Sequence, residues 1–215
     1  MKKRGRKLLV IALAVAGFAS QALAQTKIPV GGIVYNYVGH VYINPETGVG
    51  EVAGYFASIA GIDSPFQGTP SEATAMFTYR SDPLHFNALP ADVDTAITIL
   101  NAGKWHIYFN TNPSGNWNDP SSFSQGQLIA NLDHNALELI TSGPTHHGIF
   151  SGELLESFDF SIGGTIMNFR RSFPGGITNL SVATNTVVFG SPDFPIAFAD
   201  AGWAVAKGHT DGKLQ

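Results

Sequence analysis

Seven histidines, sixteen acidic residues and no cysteine set the chemistry open to this chain. Without thiols it has no cysteine nucleophile, no thiolate metal ligand and no thiol redox switch. The densest group of metal-ligand types is His146-His147 with His134 and Asp133. Neighbouring residues on a strand point to opposite faces, so a strand-borne pair chelates one ion poorly. After Pro144-Thr145 the pair reads as two solvated loop histidines, and no metal site is assigned. His40 and His106 differ, because each lies inside an apolar segment, Val38-Gly-His-Val-Tyr42 and Lys104-Trp-His-Ile-Tyr108. An imidazole pointing into a barrel interior could donate to a ligand carbonyl or act as a base near neutral pH. If Trp105 and Ile107 face the core, His106 faces out.

The carboxylates Glu46, Glu51, Glu72, Glu138, Glu153 and Glu156 include no pair whose spacing singles it out for glycosidase-type acid/base work. Glu51 and Glu72 stand near strand starts, where an inward-facing carboxylate would be costly and therefore informative. The chain has no Gly-x-Ser-x-Gly elbow, no nucleotide-binding glycine loop and no His-Glu-x-x-His pair. Catalytic residues are accordingly unassigned, and no cofactor is implied.

Aromatic residues carry the stronger signal. Tyr35, Tyr37, Tyr42, Tyr55, Phe56, Phe77, Tyr79, Trp105, Tyr108 and Phe109 crowd the first half of the chain. Rings on both faces of a strand mean a sheet covered on both sides, or a barrel whose interior is lined by rings and suits a small apolar ligand. The inward set is expected to be Tyr35, Tyr37, Tyr55, Phe77 and Tyr108, with His40 or His106 as the polar handle. Trp117, among Asn, Ser and Gly, either stacks on a sugar ring or folds back as loop packing.

The elements that would position these residues are strands. Gly31–Ile43 is dense in β-branched and aromatic residues, the turn Asn44-Pro-Glu-Thr-Gly48 follows, and Val49–Ala60 continues as a second strand of a hairpin. Gly39, Gly50 and Gly54 suggest bends that curl the sheet toward closure. Gly61–Ser71 is a loop and Ala73–Tyr79 a half-buried strand. Thr95–Leu100, the turn Asn101-Ala-Gly-Lys104 and Trp105–Asn110 read as a hairpin. The loop Thr111–Gly126 is long enough to be functional. Gln127–Thr141 fits a period of two better than 3.6 and reads as a strand. A hairpin turns at Gly163-Gly164, and short apolar segments at 177–182, 186–189 and 196–206 complete the chain.

Nine to eleven short strands with turns about every ten residues predict an all-β fold, a single antiparallel β-barrel, with a β-sandwich as the alternative. By strand count and exported setting the architecture resembles lipocalin-type or allene-oxide-cyclase-type barrels, an analogy of form that carries no motif.

The ends set the expected address. Met1–Lys7 is basic, Leu8–Phe18 is apolar, and Ala22 and Ala24 are small residues at the −3 and −1 positions of a cleavage site, the three parts of a secretory signal peptide. The apolar run falls short of the roughly 20 residues that span a bilayer. Residues 1–24 are expected to be removed, 25–206 to form the domain, and 207–215 to be a polar, flexible tail. Five of the twelve basic residues lie in the signal, so the remaining chain carries seven basic against sixteen acidic side chains, a formal −9. That balance argues against nucleic acid and anionic membranes as partners. The polar C-terminus and long loops disfavour an outer-membrane barrel. The leading functional expectation is a secreted or periplasmic barrel that binds a small apolar or amphipathic molecule. A self-assembling or adhesive surface protein is the alternative, and a cofactor-free barrel cyclase or isomerase comes third.

Overall fold

The computed structural model describes residues 25–88, 95–100 and 103–208. The expected signal peptide, the side chains of His134 and Glu138, and His209 lie outside the described part. Among the described residues there are twelve strands where nine to eleven were expected: β1 (Ile33–Asn44), β2 (Val49–Ile59), β3 (Phe77–Ser81), β4 (Leu84–Ala88), β5 (Thr95–Leu100), β6 (Gly103–Phe109), β7 (Gln127–Ser142), β8 (Thr145–Ser157), β9 (Phe160–Ile162), β10 (Thr165–Met167), β11 (Ile177–Phe189) and β12 (Ile196–Ala206). One short helix, α1 (Phe169–Ser172), lies between β10 and β11.

Alternation of large apolar with polar or small side chains makes these segments strands, since period two places one set inside and the other outside. On β6, Trp105, Ile107 and Phe109 are buried while Lys104 is exposed and His106 and Tyr108 are half-buried. The strands close on themselves. β1 pairs antiparallel with both β2 and β12, and the ring continues through β11, β8 and β7. At one end of the molecule β6 and β3 complete it, and at the other β5 and β4 do. Each level thus counts eight antiparallel strands, a closed β-barrel without free edges and not a sandwich.

One expected hairpin does not form. β5 and β6 do not pair with each other; they run in the same direction along β7, with Leu100 opposite Leu137 and Gly103 opposite His134. Their partners β4 and β3 are likewise two halves of one wall, interrupted at Asp82-Pro83. The Asn-Ala-Gly sequence has turn chemistry, but β7 is 16 residues long and pairs with β5 along one half and β6 along the other. Reversing the chain there would leave half of that strand's hydrogen-bonding groups without a partner.

The two ends of the barrel are unlike. At the end where β1 begins and β12 finishes, the interior is filled with side chains. Phe77 packs on Phe109 and Phe160, with ring centroids 4.9 and 5.7 Å apart, and Phe160 meets Phe169. The β9–β10 hairpin and α1 lie across this end as a plug, contributing buried Phe160, Met167, Phe169 and Phe173. The hairpin turns at Gly163 and Gly164, both at positive φ (56° and 80°), the two-residue geometry that glycine adopts without strain. The N-terminal segment ties onto the plug through Ile28 N–H to the Ser172 carbonyl, 2.9 Å.

Candidate functional site

The opposite half of the barrel is hollow. A cavity of about 250 Å³ occupies it, walled by Val41, Ile43, Val52, Phe86, Ala183 and Phe198 and open toward that end. Its floor is Trp105, which stacks between Tyr79 (5.1 Å between ring centroids) and Phe150 (4.7 Å) and so divides the filled half from the empty one. Small apolar ligands bind in enclosures of this kind, where most of the lining is hydrophobic and a few polar groups fix orientation.

The polar groups come from three adjacent strands. Tyr37 on β1, Asn179 and Ser181 on β11 and Asp200 on β12 all line the cavity. Asn179 is 1% exposed and Asp200 6%. Register explains how they meet. Gly202 stands between Tyr37 and Ser181 in one cross-strand row. A Cβ there would come within 2.8 Å of the Tyr37 hydroxyl and closer still to the Leu180 carbonyl. With no side chain at 202, the tyrosine lies across β12 and reaches β11.

The hydrogen bonds can be followed proton by proton. The Asn179 amide Nδ2 donates to the Tyr37 hydroxyl at 3.0 Å. The tyrosine's single proton is then free for the Asp200 carboxylate, which also accepts from Ser181 and from the Ala201 backbone N–H. Two acceptors are left over: Asn179 Oδ1 and Asp200 Oδ1 are buried without a hydrogen-bond partner. Burial dominates the electrostatics, raising the Asp200 carboxyl to about 7 even though three donors oppose the rise. It also holds the Tyr37 phenol well above its ordinary range, with the Asp200 charge adding to the effect. A buried carboxyl so displaced inside an apolar cavity makes Asp200 the candidate functional position of this site. At the mouth, His146 faces in and its Nδ1 lies 2.7 Å from the Thr141 hydroxyl.

Of the residues singled out from sequence, Tyr37 lies on the cavity floor, while Tyr35 and Phe77 are inside the barrel but in its filled half. Tyr55, Tyr108, His40, His106 and Trp117 stand on the outer wall, so the expected inward set loses two of its tyrosines and both histidine handles. Alternation along β1, β2 and β6, with one bulge at Val34 in β1 and one at Ala57 in β2, sets His40, Tyr55, His106 and Tyr108 on the outer face, and Trp117 belongs to the loop 111–126.

The exterior residues have their own partners. The loop 111–126 folds back on the barrel wall and buries Phe123 beside Tyr42 and Ala53. Trp117 stacks on His40, with ring centroids 4.0 Å apart, and its carbonyl accepts from the Tyr42 hydroxyl at 3.0 Å. Desolvation under this flap lowers the His40 imidazole to about 4. His106 bridges Asp82 Oδ1 (2.9 Å) and Asn131 Oδ1 (2.6 Å), and Asn131 in turn donates to Glu156. Glu51, 2% exposed, accepts twice from Arg80, at 2.7 and 3.0 Å. His146 and His147 lie on β8 and not in a loop, the first facing the cavity and the second exposed. Among the described residues no three His, Asp or Glu side chains are placed to hold a metal ion.

Asp200, Asn179 and Ser181 were missed in the sequence. The signal was present: Phe198, Asp200 and Gly202 share one face of β12, and Ile177, Asn179 and Ser181 one face of β11, so polar residues interrupt two otherwise apolar inward rows.

The fold and cavity define a class of protein, a closed eight-stranded antiparallel barrel plugged at one end and hollow at the other. Comparison with models of protein families, with curated proteins and with solved structures finds no match for this chain.

Proposed function

We propose that this chain is an exported carrier that holds one small apolar or amphipathic molecule in the hollow half of its barrel. The observation that supports this most is the pairing of an apolar enclosure with buried, partly unmatched polar atoms on its floor. Unmatched buried acceptors cost stability. A ligand that supplies the missing donor would remove that cost and add its own apolar burial. The basic and apolar N-terminal segment supports export as the setting. Native mass spectrometry of protein purified from its own host tests the reading. The expected result is a species heavier than the processed chain by one small molecule, lost in an Ala183→Phe variant whose ring fills the cavity. A bare mass in every preparation, with no uptake of added apolar compounds, would sink it.

A second reading, self-association at a surface, has one observation in its favour. Ile149, Val182 and Trp203 are 47%, 38% and 42% exposed on the adjacent outer faces of β8, β11 and β12. Leu180 pairs with both Ile149 and Trp203, so the stripe is continuous in register. Light scattering across protein concentration separates the readings, because a carrier keeps one mass while a self-assembling subunit grows.

A further inference from the structure

We propose that the occupant of the cavity is an apolar amine, bound with its ammonium group on the floor between Asn179 Oδ1 and Asp200 Oδ1; this rests on the carrier reading above and names its ligand class. The argument is one of complementarity. Within the group Tyr37, Asn179, Ser181 and Asp200 the hydroxyl donors are directed inward: one Asn179 Nδ2 proton goes to the Tyr37 hydroxyl, the Tyr37 hydroxyl serves Asp200, and the single Ser181 hydroxyl proton is shared between that pair. The atoms of this group left without a partner are two oxygens, Asn179 Oδ1 and Asp200 Oδ1, and with Asp200 ionised both can only accept. A carboxylate or a ketone brings further acceptors and meets lone pairs. An alcohol brings one proton for two oxygens. A primary ammonium brings three protons and a positive charge.

Charge points the same way. Among the described residues Asp200 is the only carboxylate lining the cavity, and no Lys or Arg lines it. The other titratable side chains facing it are Tyr37, on the floor, and His146, at the mouth beside Thr141. An ionised Asp200 therefore lacks a countercharge that a bound ammonium would provide, and charge-assisted hydrogen bonds in a low-dielectric pocket are the strong ones. The alkyl body of such a ligand would run up the barrel between Val41, Val52, Phe86 and Phe198 toward the mouth.

Calorimetric titration of the processed chain at pH 8 with n-octylamine, n-octanol and octanoate tests the inference. These probes share one apolar body and differ in the head group. Octylamine is expected to bind about 10- to 100-fold more tightly than octanol, and octanoate most weakly. In Asp200→Asn the amine should lose that advantage while octanol changes less than about threefold. Octanol equal to octylamine, or octanoate the tightest, would overturn the amine inference and leave the carrier reading standing. If none of the three binds, both fall. The ranking on the unaltered protein decides the matter even if the variant does not fold.

Discussion

A carboxyl group buried where it resists ionisation is a standing cost to the fold. Asp200 holds its proton up to about pH 7 in the folded chain, against 3.8 as its ordinary value. Between those values the folded state binds more protons than the unfolded, so stability falls as pH rises through the window and the full cost is present above it. Asp200→Asn removes the charge and keeps the shape. In urea unfolding the variant is expected to match the parent near pH 4 and to exceed it at pH 8 by roughly 2–4 kcal/mol. An equal difference at both pH values would refute this assignment of the cost. His40 has the opposite sign of dependence. Its imidazole falls from 6.5 to about 4 beneath Trp117, so the unfolded chain binds the extra proton between those values. Stability is therefore complete above pH 6.5 and declines on acidification toward 4. His40→Phe should flatten that part of the decline, read as a smaller difference in melting temperature between pH 7 and pH 4.5 than the parent shows. The role of neither position was legible from residue type alone. His40 drew attention as a chemical group, whereas the structure makes it a packing one, and Asp200 reads as one of sixteen acids until the inward row of β12 is known.

At the scale of elements, most of the fold could be read locally. The β1–β2 hairpin, the loops at 61–71 and 111–126, the long strand β7 and the Gly163-Gly164 turn all follow from alternation and turn chemistry. The break between β5 and β6 did not, because whether a chain reverses or continues depends on the length of the strand it lies against, and that strand is 27 residues further on. The candidate site was only half legible for the same reason: Tyr37 was named, but its partners are set by the register of β11 and β12. The pair Glu51–Arg80 shows how elements are held. Glu51 on β2 is buried under the 111–126 flap and its charge is met by Arg80 from β3. Arg80→Met would strand that carboxylate and is expected to cost roughly 2–4 kcal/mol in chemical unfolding. The double variant Arg80→Met with Glu51→Gln should recover most of the loss. A double variant no more stable than the single one would show that the arginine matters through packing alone.

For the whole molecule, closure separates inside from outside, and each proposed reading belongs to one of the two surfaces. The interior carries the cavity; the exterior carries the stripe over β8, β11 and β12. Trp203→Arg changes only the second. If the stripe mediates self-association, this variant should remain at monomer mass across concentrations at which the parent grows, while octylamine affinity stays within about twofold of the parent. A parent that is monomeric throughout would make the stripe ordinary surface.

The ring is sealed by its first and last wall strands, β1 on β12. The floor of the cavity straddles that seam, with Tyr37 and Asn179 joined by a hydrogen bond across 142 residues of sequence. Long-range closures of this kind come at high entropic cost and late in folding. The pocket therefore has no precursor in any partial chain. Until the last strand docks, the protein is an open curved sheet with its aromatic interior uncovered, and in refolding the capacity to bind should return with the slowest phase. On the carrier reading proposed above, a chain that crosses a membrane unfolded would thus arrive empty, and the cavity would take its ligand from the far side.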